Sequence, residues 1–309
     1  MDNLINSFST VYPILVMMLV GILVRRAGIV TDTGIKEMNG LIYKLFFPVM
    51  MYANVMDSDF SVSFDVRLIG FTLMLITVLF IVLMLIVPKF VPENQHRGVM
   101  IQGIFRSNFL VFGMSILTSL YGNSRLGAAT MLAAVTIPYM NALSVVALET
   151  YRGEKIGALA MILRVVRNPM VVSTLVALCM KVMGIAPFAG AVDTISRVST
   201  PFAIIVIGAS LKISNLKKYR IMLTWGVLSK LLIVPLAVLP ICIALGFREE
   251  QLVAQMCIFA GPCATASYAM AQQLGGDGNL AGLLVMLTSA LCVTTFFLWV
   301  FVLMTLKLI

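Results

Sequence analysis

From Leu68 to Val87 the chain reads LIGFTLMLITVLFIVLMLIV, without one charged residue. About twenty apolar residues is the length a helix needs to cross the ~30 Å hydrocarbon core of a bilayer. In that core a helix can satisfy its own backbone, whereas an open strand cannot. Comparable runs recur along all 309 residues, of which 61% are hydrophobic and 11% charged. A soluble domain is nearer half apolar and a quarter charged. The pattern therefore predicts an all-α polytopic membrane protein.

Ten spans are expected, over roughly 6–26, 36–56, 67–88, 97–120, 125–148, 168–186, 190–212, 218–246, 250–274 and 278–306. The net charge of +9 does not call for nucleic acid, because no basic stretch carries interleaved aromatics. It follows the positive-inside bias of membrane loops. With the N-terminus outside, Arg25, Arg26, Lys36, Lys89, Arg97, Arg152, Lys155, Arg164, Arg167, Lys212, Lys217, Lys218 and Arg220 fall inside. Only Arg67, Arg125, Lys181, Arg248 and Lys307 fall outside, beside an acidic loop with Asp57, Asp59 and Asp65. Both termini are thus expected to be extracytoplasmic. The first apolar run ends in Arg25-Arg26 and reads as a retained span rather than a cleaved signal. The five cysteines lie in apolar segments without CxxC spacing, so neither disulfides nor a metal centre is expected. No cofactor motif is present.

The second half repeats the first. YPILVMMLVGILVRRAGI (Tyr12–Ile29) lies on NPMVVSTLVALCMKVMGI (Asn168–Ile185), and Lys44 with Pro48 lies on Arg197 with Pro201. Arg67 lies on Arg220, and Phe105 on Phe259, all with nearly the same offset. Each copy holds five spans, so the second enters the membrane from the opposite side. Inverted repeats of this kind are a design of secondary transporters. The expected units are residues 1–150, an amphipathic basic connector at 151–167 on the inner face, and residues 168–309.

The fourth and ninth spans both look broken. FRSNFLVFGMSIL (Phe105–Leu117) places Arg106, Ser107 and Asn108 mid-span, and FAGPCATASYAMA (Phe259–Ala271) places Gly261-Pro262 at the matching site. Proline removes a backbone donor, and Ser and Asn favour helix caps. A new half-helix is expected after Asn108 and another after Pro262. Broken helices are tolerated at that depth where they line a cavity, and their N-termini favour anions. Arg106 either adds a full positive charge there or serves as structural glue. Lys44 and Arg197 either reach the site, snorkel, or pair elsewhere. Cys263, Thr265, Tyr139 and Asn141 complete the candidate substrate-binding set, and Gln102, Gln272 and Gln273 lie nearby. No Asp or Glu sits deep in a span, since Glu37 and Asp193 lie near helix starts. An anionic substrate is therefore expected, without a carboxylate pair for sodium.

RSNFLVFGMSIL (Arg106–Leu117) resembles the asparagine-containing crossover of the auxin efflux carrier family. Asn108 and Gly113 match that motif, while Ser115 stands where proline is frequent. Gly261-Pro262 with ATASYAMAQQLGGD (Ala264–Asp277) resembles the second crossover, and LIYKLFFPVM (Leu41–Met50) the proline-bearing second span. The chain is most similar to the malate and malonate permeases of that family, relatives of the plant PIN carriers. The resemblance implies the fold of bile-acid symporters and sodium–proton antiporters. It also implies a scaffold from spans 1, 2, 6 and 7, a moving domain from spans 3–5 and 8–10, and homodimers through the scaffold. The function it implies is a secondary transporter of small carboxylates, malate-like dicarboxylates among them, working by an elevator motion in the inner membrane with lipid around it.

Two other classes compete. An anion channel or a transporter-like membrane sensor fits the same composition. An intramembrane enzyme does not: His96 is the sole histidine, HExxH is absent, and LGGD (Leu274–Asp277) lacks the first glycine of an aspartyl-protease motif.

Overall fold

The computed structural model describes residues 2–58, 65–122, 126–153, 157–186, 189–212 and 215–309, with side chains from Tyr12 onward. Asp59, Arg125 and Lys155 of the charge pattern lie outside the described residues. Among the described residues the chain is helical, with an isolated antiparallel bridge between Ser107 and Cys263 and no strand.

The helices are α1 (Asp2–Arg26), α2 (Asp32–Leu41), α3 (Phe47–Asp57), α4 (Val66–Phe90), α5 (Asn94–Phe105), α6 (Met114–Tyr121), α7 (Gly127–Thr150) and α8 (Ala158–Val166). They continue as α9 (Pro169–Val182), α10 (Ala189–Ser210), α11 (Asn215–Leu228), α12 (Val234–Ala244), α13 (Glu249–Ala260), α14 (Ala266–Gln273) and α15 (Gly278–Thr305). Starts are capped where the sequence offers an oxygen. Asp65 accepts from the N–H of Leu68, Asp277 from Leu280, and Asn168 from Met170 just ahead of Pro169. Such caps satisfy donors that a helix start leaves unpaired.

Five helical stretches among the described residues are long and apolar enough to cross a bilayer: α4, α7, α10, the run Asn215–Ala244 and α15. This is the build of a polytopic membrane protein. On α4, Met74, Val78, Ile81, Val82, Leu85 and Ile86 are exposed on one stripe, as a lipid-facing side requires. By contrast α5 and α13 have 12 residues each, about 18 Å of helix, because the chain breaks at Arg106–Asn108 and Gly261–Thr265.

Two proline-bearing stretches contain a wider turn that the sequence reading did not anticipate. Ile42–Phe46 is a π turn ahead of Pro48, and Ser229–Ile233 is one ahead of Pro235. Proline has no N–H for the carbonyl four residues back, and one extra residue in the turn absorbs the mismatch. The carbonyl that Pro235 leaves free, on Leu231, accepts from the indole N–H of Trp299 at 3.0 Å.

Packing divides the helices into two groups. In one, α1 runs along α10, and α3 packs on α9 and α10. In the other, α5 packs on α7, α13 on α7 and α12, and α15 on α11 and α14. The groups meet where α1 touches α6 and α15, and where α7 touches α9. Within the first group the helices touch backbone to backbone. A Cβ added at Gly21 would lie 2.1 Å from the Ile205 carbonyl oxygen, and one at Gly208 would lie 2.1 Å from that of Met18. Small residues permit this approach, which is how helices associate in lipid.

Candidate functional site

The two breaks lie against each other. Phe105 ends α5, Arg106 turns into extended backbone (φ −83, ψ 131), and Asn108 follows at φ −85, ψ 56. The main-chain N–H of Asn108 donates to the Pro262 carbonyl at 2.8 Å. Ser107 Oγ donates to the Cys257 carbonyl at 3.1 Å, and the Cys263 N–H donates to Thr288 Oγ1 at 3.0 Å. Unwound backbone must find such partners inside a bilayer. Gly261 permits the approach, since a Cβ there would sit 2.3 Å from Ser107 Oγ.

Two half-helix features differ from expectation. Asn108 makes no side-chain capping bond, and the chain resumes in a π turn, Phe109–Gly113, before α6. Its backbone is anchored by Pro262, which leaves the side chain free of that duty. The second restart falls after Pro262, at Ala266, with Thr265 in the cap position and no side-chain capping bond.

A cavity of about 40 Å³ opens at this crossing. Arg106, Ser107 and Asn108 line it with Phe109, Leu110 and Val111 on one wall, and Ala264, Thr265 and Ala266 on another. Ile137 and Met140 come from α7, while Met50, Met51 and Asn54 of α3 and Thr200 of α10 close it. No carboxylate is among the described lining residues.

Arg106 is 3% exposed. Its guanidinium donates to Asn141 Oδ1 and, at 2.7 Å, to Met270 Sδ. Asn141 in turn donates to Met51 Sδ at 3.1 Å. Neither sulfur carries a charge, so the cation is held in place without being neutralised. Two amide groups in the lining, Asn54 Nδ2 and Asn108 Nδ2, are buried and have no hydrogen-bond partner among the described residues. Buried donors are nearly always paired, so two unpaired donors beside a buried guanidinium point to an acceptor-rich ligand.

The Membrane transport protein family model matches residues 6–300, almost the whole chain. The chain belongs to this family, the auxin efflux carriers. No match is found among curated proteins.

Within this auxin efflux carrier family member, the sequence-predicted residues separate by position. Arg106, Ser107, Asn108 and Thr265 line the cavity, and Gly261, Pro262 and Cys263 form the main chain behind it. Asn141 stands one layer back, holding Arg106. Tyr139 faces elsewhere, its hydroxyl 2.7 Å from Thr77 Oγ1. Lys44 is exposed on its π turn. Arg197 is exposed too, paired with Asp193 at 2.9 Å one helical turn back. Neither cation is brought to the crossing, because each sits on the outer face of its helix.

Three polar residues near the crossing were not singled out from sequence as ligands. Asn54 and Thr200 lie in the wall opposite the breaks. Their signal was a lone polar side chain a few residues from Pro48 and next to Pro201. Lys230 is fully buried, with Nζ 3.4 Å from the Phe105 carbonyl at the end of α5. Its Nζ donates there to the carbonyl end of the half-helix, where a helix carries partial negative charge.

Proposed function

We propose that this membrane transporter is a secondary carrier of small organic anions, with malate-like dicarboxylates as the leading substrates, bound at the crossing of the fourth and ninth spans. The observation that carries this reading is the pair of amides, Asn54 and Asn108, that line the cavity with buried Arg106 and have neither a partner nor a neighbouring carboxylate among the described lining residues. A carboxylate accepts from both amides while the guanidinium supplies the balancing charge. Charge-assisted bonds of that kind are the strong ones. The start of α14, at Ala264–Ala266, opens on the same cavity and adds its partial positive charge.

An elevator motion accounts for the wall composition. Asn54 and Thr200 belong to the α1–α3–α9–α10 group, whereas Arg106, Asn108 and Thr265 belong to the other. A substrate held by the second group is released when that group slides along the first and Asn54 is left behind. The cavity is about 40 Å³, room for roughly three water-sized spheres. That suits a carboxylate headgroup, and a whole dicarboxylate then requires the α3–α10 wall to withdraw. In this reading the helices form ten spans in two inverted five-span repeats. The scaffold is the first group, joined in a homodimer, and both termini are extracytoplasmic in an inner membrane.

The test is counterflow in proteoliposomes. Vesicles loaded with unlabelled malate should accumulate external labelled malate above equilibrium, as a carrier does and a channel does not. Flat equilibration, with no acceleration by internal malate, would overturn the carrier reading.

A further inference from the structure

A second cavity, of about 570 Å³, opens where α7, α8 and α9 meet. Among the described residues its lining carries Arg152, Arg164 and Arg167 against one acid, Glu149. Glu149 is 3% exposed and already held by Arg152 at 3.1 Å and Arg164 at 2.5 Å. Arg167 is exposed and has no acidic partner among the described residues. Among the described residues the lining therefore keeps an excess of positive charge, carried by Arg167.

The helix beside it cannot be a surface facing water. None of α8 is buried, and it bends 65° away from α9. Leu159, Ile162, Leu163 and Val166 fall on one face and stand 72%, 58%, 45% and 46% exposed. A short helix with that apolar face and basic flank lies in the headgroup plane of a bilayer. Leu163 belongs both to this face and to the cavity lining, whose other α8 members are Ala160 and Arg164. The apolar face and the cationic cavity are thus contiguous, as an anionic phospholipid's tails and phosphate would need.

We propose that this cavity binds the phosphate headgroup of an anionic phospholipid, with Arg167 as its main free ligand and the acyl chains lying along α8. Guanidinium and phosphate are well matched in geometry. A free phosphoester would meet the same arginines but gains nothing from the exposed leucines. The site also straddles the join between the packing groups, since α7 belongs to one and α9 to the other.

The experiment uses the full chain purified in a neutral detergent and read by native mass spectrometry and by melting temperature. The probes are phosphatidylglycerol, phosphatidylcholine with the same chains, and glycerol phosphate. Phosphatidylglycerol should stay bound and raise the melting temperature, with little effect from the other two. Arg167→Gln should weaken phosphatidylglycerol binding roughly fivefold, the effect of one basic residue near an anionic surface. Lys217→Gln, an exposed cation outside the cavity, should leave it unchanged. Arg167 is exposed, so its variant should melt like the parent without lipid. Arg167→Glu, measured alongside, should abolish the shift. The proposal is overturned if phosphatidylcholine or glycerol phosphate stabilises as strongly as phosphatidylglycerol, or if both Arg167 variants bind phosphatidylglycerol like the parent.

Discussion

The main-chain N–H of Asn108 donates to the carbonyl of Pro262 at 2.8 Å. Two helices interrupted far apart in sequence are thereby tied together at the point where each stops. Because the backbone does the tying, the Asn108 side chain contributes no capping bond and its Nδ2 is left without a partner among the described residues.

Asn108→Ala should therefore weaken anion binding without unfolding the protein. A hydrogen bond to a charged group contributes ~1.5–3 kcal/mol, so the loss should be about tenfold or more at ~1.4 kcal/mol per decade. Titration of malate by thermal shift, with the apo melting temperature as control, checks both halves. A variant that binds like the parent would remove Asn108 from the site.

Asn141→Leu should act differently. It deprives Arg106 of its oxygen partner and leaves a buried guanidinium with one sulfur contact. Loss of that bond should cost stability by ~1–3 kcal/mol, and the melting temperature should fall even without substrate. A parent-like melting curve would mean that Arg106 finds another acceptor.

Gly261→Ala tests the crossing itself. The added methyl would meet Ser107 Oγ and the Cys257 carbonyl, each at 2.3 Å, and neither can leave without breaking its bond to the other. Overpacking of this kind typically costs ~1–3 kcal/mol. Gly70→Ala, where an added Cβ meets nothing within 4 Å, is the control. Equal melting temperatures for the two variants would contradict the close approach.

Uptake should proceed without sodium. The lining offers no carboxylate among its described residues, and the carbonyl at the end of α5 already accepts from Lys230 Nζ. Initial rates in choline and sodium buffers should agree. Strict sodium dependence would reveal a cation site made of amides and carbonyls.

Orientation is testable with an impermeant thiol reagent in a Cys179→Ser background, since Cys179 is the exposed cysteine. Cysteine at Asp57 should label from outside, and cysteine at Lys217 only after permeabilisation. The opposite pattern would reverse the charge argument for both termini.

The breaks were legible in the sequence because Asn, Gly and Pro act on their own backbone, so their meaning is local. The family was legible for the same reason, through the motif around Asn108. The direction of a charged side chain was not. Lys44 and Arg197 sit in apolar stretches like Arg106 does, yet both are exposed and Arg106 is buried. Which face of a helix meets the core depends on partners distant in sequence. Asn54 was obscure on that account as well: its place in the cavity wall comes from α3 lying opposite the breaks, a fact of packing. The π turns before Pro48 and Pro235 depend on how the chain absorbs a missing donor, and Pro201 sits inside α10 without one.

The close approach of α1 and α10 at Gly21 and at Gly208 carries a mechanical meaning. Side chains that interdigitate can change rotamer and let helices creep past one another. Here backbone rests on backbone, with no rotamer to exchange. The seam between α1 and α10 therefore resists shear like a welded joint, and the two helices are held as one rigid unit.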